Sequence, residues 1–323
     1  MLLQLRVTVP PDRTDEVREL FEQDPGTAHL AVLPGASLTP PGDLVLADVA
    51  REAADGLVGA LRELGVDRDG GICLVTVDAA VSRAAEEAEK RAPGEGSDAV
   101  VWEQVVRTVD TESALSVSYL AFLTIATMIA AVAIINDSAI LTIGAMVLGP
   151  EFGPLAALAV GLVHGRHSMA GRAGVSLVAG FAVAIALTAV AVLCARLLGW
   201  VGPEVLTAER PATGFITHPD RWSLVVAVLA GIAGVLSLTA AKSGALVGVF
   251  ISVTTVPAAA DIALSLALGG GSQTASAATQ LGINLLGILV AAIATLTVQR
   301  LLWRRVPSIV PRLERVRRVR TRS

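Results

Sequence analysis

Charge, cysteine and lysine are all scarce in this 323-residue chain, and each shortage removes a class of protein. Charged residues make up only 17%, against about 25% in soluble domains, which excludes an ordinary soluble enzyme. With 53% hydrophobic residues and a mean hydropathy of +0.66, the chain also has too much apolar surface to be intrinsically disordered. Cys73 and Cys194 are the two cysteines, too few for a disulfide framework or a structural zinc site. Lys90 and Lys242 are the only lysines among 25 basic residues. That bias, with abundant Ala, Val and Gly, points to a GC-rich bacterial genome. No G-x-x-x-x-G-K, H-E-x-x-H or nucleophile elbow occurs, so neither ATP driving nor enzymatic chemistry is expected. No cofactor or metal site is expected either.

The charge that is present falls in three blocks. Residues 1–98 hold 19 acids against 9 bases, residues 99–299 hold 9 against 7, and residues 300–323 hold one acid and nine arginines. An acidic head, an apolar middle and a basic tail describe a membrane protein with a cytoplasmic domain. Beside a membrane span, the arginine tail reads as an anchor to anionic lipid rather than a nucleic-acid patch. The opening MLLQLRVTV is too short for the apolar core of a signal peptide, so the head is expected in the cytoplasm.

Residues 1–78 read as an α+β ferredoxin-like β-α-β-β-α-β domain. Strands are expected at Leu2–Val9, at His29–Leu33 (closed by Pro34-Gly35), at Leu44–Val49 and at Ile72–Val77. Helices are expected over 12–21, with Val17, Leu20 and Phe21 on one face, and over 51–64, with Ala54, Leu57, Val58 and Leu61. Gly65 ends the second helix as its C′ residue. His29 and Cys73 read as structural strand residues. Residues 79–112 form a linker and an amphipathic helix with Val101, Trp102, Val105 and Val109 on one face. That helix suits the membrane interface or packing on the head.

Six apolar segments follow within residues 113–303: 115–135, 138–163, 173–199, 222–240, 244–267 and 275–302. Arginines at 166 and 172, Lys242 and the basic tail of residues 304–323 fall on one side, which places both termini in the cytoplasm. Trp102, Trp200, Trp222 and Trp303 sit at segment boundaries, where aromatic residues anchor to the interface. The result is an α-helical polytopic protein of the bacterial inner membrane.

The six segments divide into two threes. An offset of 104 aligns Gly144 with Gly248 and brings Pro154 within one position of Pro257. IAAVAI in the first segment loosely matches IAGVLS in the fourth. A unit that crosses three times and then repeats must invert, and matched Gly/Pro breaks in such repeats point to a central site.

The stretch from Asn136 through Gly144-Ala-Met to Gly149-Pro-Glu-Phe-Gly-Pro154, with Gly248-Val-Phe-Ile and Val256-Pro257, resembles the DUF389 membrane family over about residues 110–300. The family name records no activity, so the resemblance implies architecture only. Two departures from the family pattern stand out. Glu151 follows the first proline where an apolar residue is usual, and Ala258 follows Pro257 where a second proline is common.

A carboxylate inside a span costs at least ~2.5 kcal/mol, so its retention points to use. Glu151, Asp261, Thr254, Thr255 and Asn284 are the ion-binding candidates, and Gly149, Pro150, Gly153, Pro154 and Pro257 the helix-break residues. Glu151 and Asp261 are expected to share a cation or proton near the repeat axis. Asp137 reads as a helix cap, and Arg196 and Lys242 as boundary residues whose charges reach the interface. The leading expectation is a transporter or channel for an ion or small solute. Lipid and, through small residues in the spans, further copies of the chain would be its partners. The alternative is a membrane-anchored sensor or scaffold that moves nothing.

Overall fold

The computed structural model describes residues 1–92, 99–211, 213–214, 221–240 and 255–303. Lys242, Thr254 and the arginine tail lie outside these residues. The chain divides into two compact units, the first chiefly Met1–Val105 and the second Val106–Leu238 with Ser243–Leu301.

The first unit holds β1 (Leu2–Val9), α1 (Thr14–Gln23), β2 (Thr27–Leu38), β3 (Pro41–Ala50), α2 (Arg51–Glu63), the short α3 (Val66–Asp69), β4 (Gly71–Thr76) and α4 (Arg83–Arg91). The strands form one antiparallel sheet in the order β2-β3-β1-β4. β1 alternates because its period is two: Leu3, Leu5, Val7 and Val9 point inward, and Leu3, Leu5 and Val7 stand opposite Val49, Ala47 and Val45. Val17, Leu20 and Phe21 of α1 and Leu57, Val58 and Leu61 of α2 close the same core. Gly65 takes φ +73°, the left-handed turn that ends α2, and Arg13 donates to the Leu64 carbonyl at 2.9 Å.

Strand β2 runs past its expected end. Pro34-Gly35 does not close it, because the ladder shifts register between Leu33 and Ser37 and so absorbs the proline as an irregularity. Gly35 takes φ +65° there, and its N–H donates to Asp43 Oδ1 at 2.8 Å. The Thr14 hydroxyl donates to Asp43 Oδ2 at 2.6 Å. The bond from Thr14, then that from Gly35, holds the Asp43 carboxyl below the usual carboxylate range. A second shift, at Ala28–Ala31, puts His29 at φ +48°. Its imidazole bridges Asp48 Oδ2 (2.8 Å) and Ser82 Oγ (2.7 Å), tying the start of α4 to the sheet. Ser82 also caps α4 through the Ala85 N–H.

The second unit is helical: the end of α5 (Trp102–Glu112), then α6 (Val117–Ile135), α7 (Ala139–Leu148), α8 (Phe152–Val163), α9 (His167–Leu197), α10 (Arg221–Thr239), α11 (Thr255–Leu268) and α12 (Gly271–Trp303). The first turn of α5 belongs to the head. Trp102 N–H donates to Asp55, Arg51 to the Ala99 carbonyl, and Arg62 pairs with Glu103.

Val117–Ile135, His167–Leu197 and Gly271–Leu302 are each long and apolar enough to cross a membrane. The pair α7–α8, bent by 49°, makes a fourth span if read as one. The other two expected segments appear as shorter apolar helices, Ser223–Thr239 and Thr255–Leu268. Part of the fifth segment, 244–254, falls outside the described residues. The outward faces of the long helices carry Phe122, Ile125, Val178, Val190, Leu286 and Val290, all exposed. A helix that is apolar on its exposed face as well as its packed one suits lipid rather than water.

The helix bounds recur at one interval. Adding 104, the separation of Glu151 and Thr255, to α6 (117–135) gives the bounds of α10 (221–239). Adding it to α8 gives 256–267, against 255–268 for α11. Adding it to α9 gives 271–301, against 271–303 for α12. Gly165 and Gly269 stand at the same interval and take φ +69° and +91°, each in the turn after its half-length helix.

Candidate functional site

The break between α7 and α8 follows from its residues. Gly149 precedes a proline and takes an extended ψ of 124°. Pro150 lacks an N–H, so α7 stops at Leu148 and α8 restarts at Phe152, with Glu151 at its N-cap. Gly149 and Pro150 therefore lie in the break itself. Gly153, Pro154 and Pro257 lie just past the breaks, in the first turns of α8 and α11. There a missing N–H leaves no helical carbonyl stranded, because the first four donors have no intrahelical partner. Pro154 thus opens a helix rather than interrupting it. At Gly153 a Cβ would sit 2.9 Å from the Glu112 carbonyl oxygen, so only glycine lets α8 approach the end of α5 this closely.

Glu151 is 1% exposed and Thr255 fully buried. The Thr255 hydroxyl donates to Glu151 Oε1 at 2.6 Å. Thr255 is the first described residue of α11 and Glu151 holds the N-cap position of α8, so the bond joins these two helices near those positions. On α6 the Tyr119 hydroxyl is buried and has no hydrogen-bond partner among the described residues. Its ring fills the space left by Gly180 of α9, where a Cβ would lie 2.6 Å from Tyr119 Cε1.

Asp261 is not part of this group. It lies six residues into α11, about 9 Å along the axis from Thr255 at 1.5 Å per residue. Its Oδ1 accepts from Gln273 Nε2 at 3.0 Å and from Arg210 Nη1 at 3.3 Å. Arg210 also donates to the Val205 carbonyl at 2.6 Å, and the pair is 7% and 0% exposed. Arg210 and Gln273 line an open cleft of about 700 Å³ with Leu206, Glu209 and Ser276. A cation shared by Glu151 and Asp261 is thus not the arrangement seen.

Asn284 is fully buried on α12. One turn earlier on the same face, Gln280 is also fully buried, and neither of its side-chain polar atoms has a partner among the described residues. Sequence reasoning missed Gln280 and Tyr119. A four-residue spacing from Asn284 was the available signal for Gln280; Tyr119 offered none, because its burial against Gly180 of α9 is a tertiary matter.

Two expected roles change. Asp137 does not cap α7. Ser138 does, through the Leu141 N–H at 3.3 Å, while Asp137 sits at φ +46° and accepts from the N–H and hydroxyl of Thr213. Arg196 is more than a boundary residue: it donates to the Ala267 carbonyl at 3.1 Å, near the end of α11. Arg300 donates to the Val163 carbonyl at the end of α8. Both donors and both acceptors are 104 apart, so the two bonds are reciprocal between halves. The repeated Arg-Leu-Leu at 196–198 and 300–302 was the unread sequence signal.

Apolar helices of spanning length point to a membrane protein. Residues 146–290 match the family described as Domain of unknown function (DUF389). The match is narrower than the resemblance read from the sequence, and it contains Glu151, Thr255 and Asp261. The chain is also 28% identical over 208 residues to an uncharacterized protein of Methanocaldococcus jannaschii. That alignment covers 64% of this chain and 61% of the relative, so the chain spans about three fifths of the length of the protein it matches. No solved structure matches.

Proposed function

We propose that the protein is a transporter or channel for an ion or small solute, built from two inverted three-helix units. One observation carries this reading: Glu151 and Thr255 stand at the repeat interval and bond to each other. In a twofold relation, a residue meets its own counterpart only at the axis. The reciprocal bonds from Arg196 and Arg300 fit the same axis. Half-helices of 12 and 14 residues are about 18–21 Å long, so their inner ends reach well into a ~30 Å hydrocarbon core. Discontinuous helices meeting at mid-depth are how inverted-repeat transporters build their sites.

In this reading the six apolar segments all cross, both termini are cytoplasmic, and the head regulates or assembles the spans. Small residues at helix contacts, such as Gly231 against Ile288 and Ala291, permit close helix packing within and between copies. The helical unit catalyses no bond chemistry.

The test is flux. The full chain is reconstituted into vesicles and a panel of inorganic ions is followed by electrode and by current. Flux above that of empty vesicles supports the proposal. Folded protein that moves nothing across the panel turns the assignment to a sensor or scaffold, to be pursued by ligand binding to the full chain.

A further inference from the structure

Three side chains of the head stand in a hydrogen-bonded row. Ser82 Oγ lies 2.7 Å from His29 Nε2, and His29 Nδ1 lies 2.8 Å from Asp48 Oδ2. The directions of these bonds follow from the acid. An ionised carboxylate only accepts, so Asp48 requires a proton on Nδ1. In a neutral ring Nε2 is then the acceptor, and the Ser82 hydroxyl donates to it. Nucleophile, general base and orienting carboxylate follow one another in this order in serine hydrolases.

Each member is held as that chemistry needs. Asp48, on β3, is the more shielded of the His29–Asp48 pair, 17% exposed against 41%. Its other oxygen accepts from Gln4 Nε2 at 3.2 Å, so both oxygens are engaged and the carboxylate is fixed. His29 stands where β2 shifts register against β3, at φ +48°. A non-glycine residue there is strained, and strained residues and bulges gather at active sites, where they re-aim side chains. Ser82 is half-buried at the N-cap of α4, a helix of nine residues. Its oxygen also accepts from the Ala85 N–H at 3.4 Å. The N–H groups of Arg83 and Ala84 open the helix and have no intrahelical acceptor. A backbone N–H just after the nucleophile is a usual donor to the oxyanion that forms there. The first turn of α4 therefore supplies both the nucleophile and such donors.

We propose that the head is a serine esterase, with Ser82 as nucleophile, His29 as general base and acid, and Asp48 as the residue that positions His29. The substrate class is a small carboxylic ester. A row with its histidine 41% exposed suits a small acyl group with a good leaving group, not a peptide held along a buried groove. Ser82 Oγ attacks the ester carbonyl and passes its proton to His29 Nε2. The oxyanion is met by the Arg83 N–H. It collapses as His29 gives the proton to the departing alkoxide, which leaves as an alcohol, and acyl-Ser82 remains. Water then attacks the acyl carbon while His29 takes its proton. His29 returns that proton to Ser82 Oγ, and a carboxylic acid departs. The net change is ester plus water to acid plus alcohol. This activity lies beyond the transport reading and does not depend on it.

The experiment treats the full chain in detergent micelles with a fluorophosphonate, which bonds to a serine activated in this way and loses fluoride. The labelled residue is located by mass spectrometry. Wild type is expected to carry the label on Ser82. Hydrolysis of p-nitrophenyl acetate is followed in parallel, and Ser82→Ala and His29→Gln are each expected to slow it by about a hundredfold or more. Asp48→Asn is expected to lower kcat by a similar factor and to leave KM unchanged, a split that a merely structural role would not produce.

Wild-type chain with no label on Ser82 overturns the proposal, and this arm needs no variant to fold. Hydrolysis as fast in Ser82→Ala as in wild type also overturns it. Neither readout involves flux, so failure here leaves the transport reading standing.

Discussion

The two halves of the helical unit share a scaffold and differ in chemistry. Helices α6 and α10 have bounds that coincide at an interval of 104, as do α9 and α12 at their starts. Yet Glu151 in the first half faces Thr255 in the second, Ala157 corresponds to Asp261, Met169 to Gln273, and Gly180 to Asn284. Backbone geometry recurs where small residues, glycine turns and arginine caps recur. At the α8–α11 meeting the polar groups differ: a carboxylate from Glu151 and a hydroxyl from Thr255.

The largest test of this difference is the buried pair found only in the second half. Arg210→Ala takes a cation away from the fully buried Asp261 and is expected to cost about 3–5 kcal/mol. The readout is thermal unfolding of the full chain in detergent. Asp261→Asn in the same background should recover part of the loss, and an unchanged melting temperature in Arg210→Ala would show that the pair contributes nothing.

Next is a packing contrast. At Gly231 a Cβ would lie 2.6 Å from the Ile288 carbonyl oxygen and 2.8 Å from Ala291 Cβ. Gly231→Ala should therefore cost ~1–3 kcal/mol by forcing α10 away from α12. Its counterpart is Thr127, whose side chain is already accommodated and bonds the Leu123 carbonyl at 2.7 Å. Thr127→Ala should cost no more than about 1 kcal/mol, and equal losses at the two sites would erase the contrast.

A smaller effect tests the symmetry itself. Arg196→Ala and Arg300→Ala each remove one reciprocal carbonyl bond. Each is expected to cost about 1 kcal/mol, and the two losses should agree within about 0.5 kcal/mol. A clear inequality would show that the two ends do not act as counterparts.

The smallest lies in the head, where no repeat operates. The folded Asp43 carboxyl sits below its ordinary value, chiefly through Thr14. Its contribution to stability is therefore present above the unfolded carboxyl value and lost as pH falls through the folded one. Thr14→Val should bring the two values together and move the onset of acid unfolding to higher pH. Hydrogen exchange of β1 and β3 across the acid range reads this. An onset that stays in place would show that Thr14 does not hold Asp43.

The head was legible because its signals are local. Alternation in Leu2–Val9 and helical spacing at Val17, Leu20 and Phe21 mark elements without reference to the rest of the chain. What stayed hidden was β2 beyond Pro34, since a bulge that carries a proline looks like a strand end until its partner strand is known. In the second unit, apolar length showed the helices, and Gly149-Pro150 showed where one breaks. The exact interval was available in Gly144 and Gly248 and again in the two Arg-Leu-Leu runs. The role of Pro154 was not, because a proline that interrupts a helix and one that begins it differ only in where the backbone turns.

By itself, then, the sequence determined that the chain belongs in a membrane, that it carries a small α+β head, and that a carboxylate sits at a broken helix. These follow from composition, periodicity and proline chemistry, all properties of neighbouring residues. Only the tertiary structure decided that Glu151 meets Thr255 and not Asp261, that Asp261 is held by Arg210, and that Tyr119 packs against Gly180. Those pairings join residues 104, 51 and 61 positions apart. They depend on which helix surfaces bury against each other, and no local pattern encodes that choice.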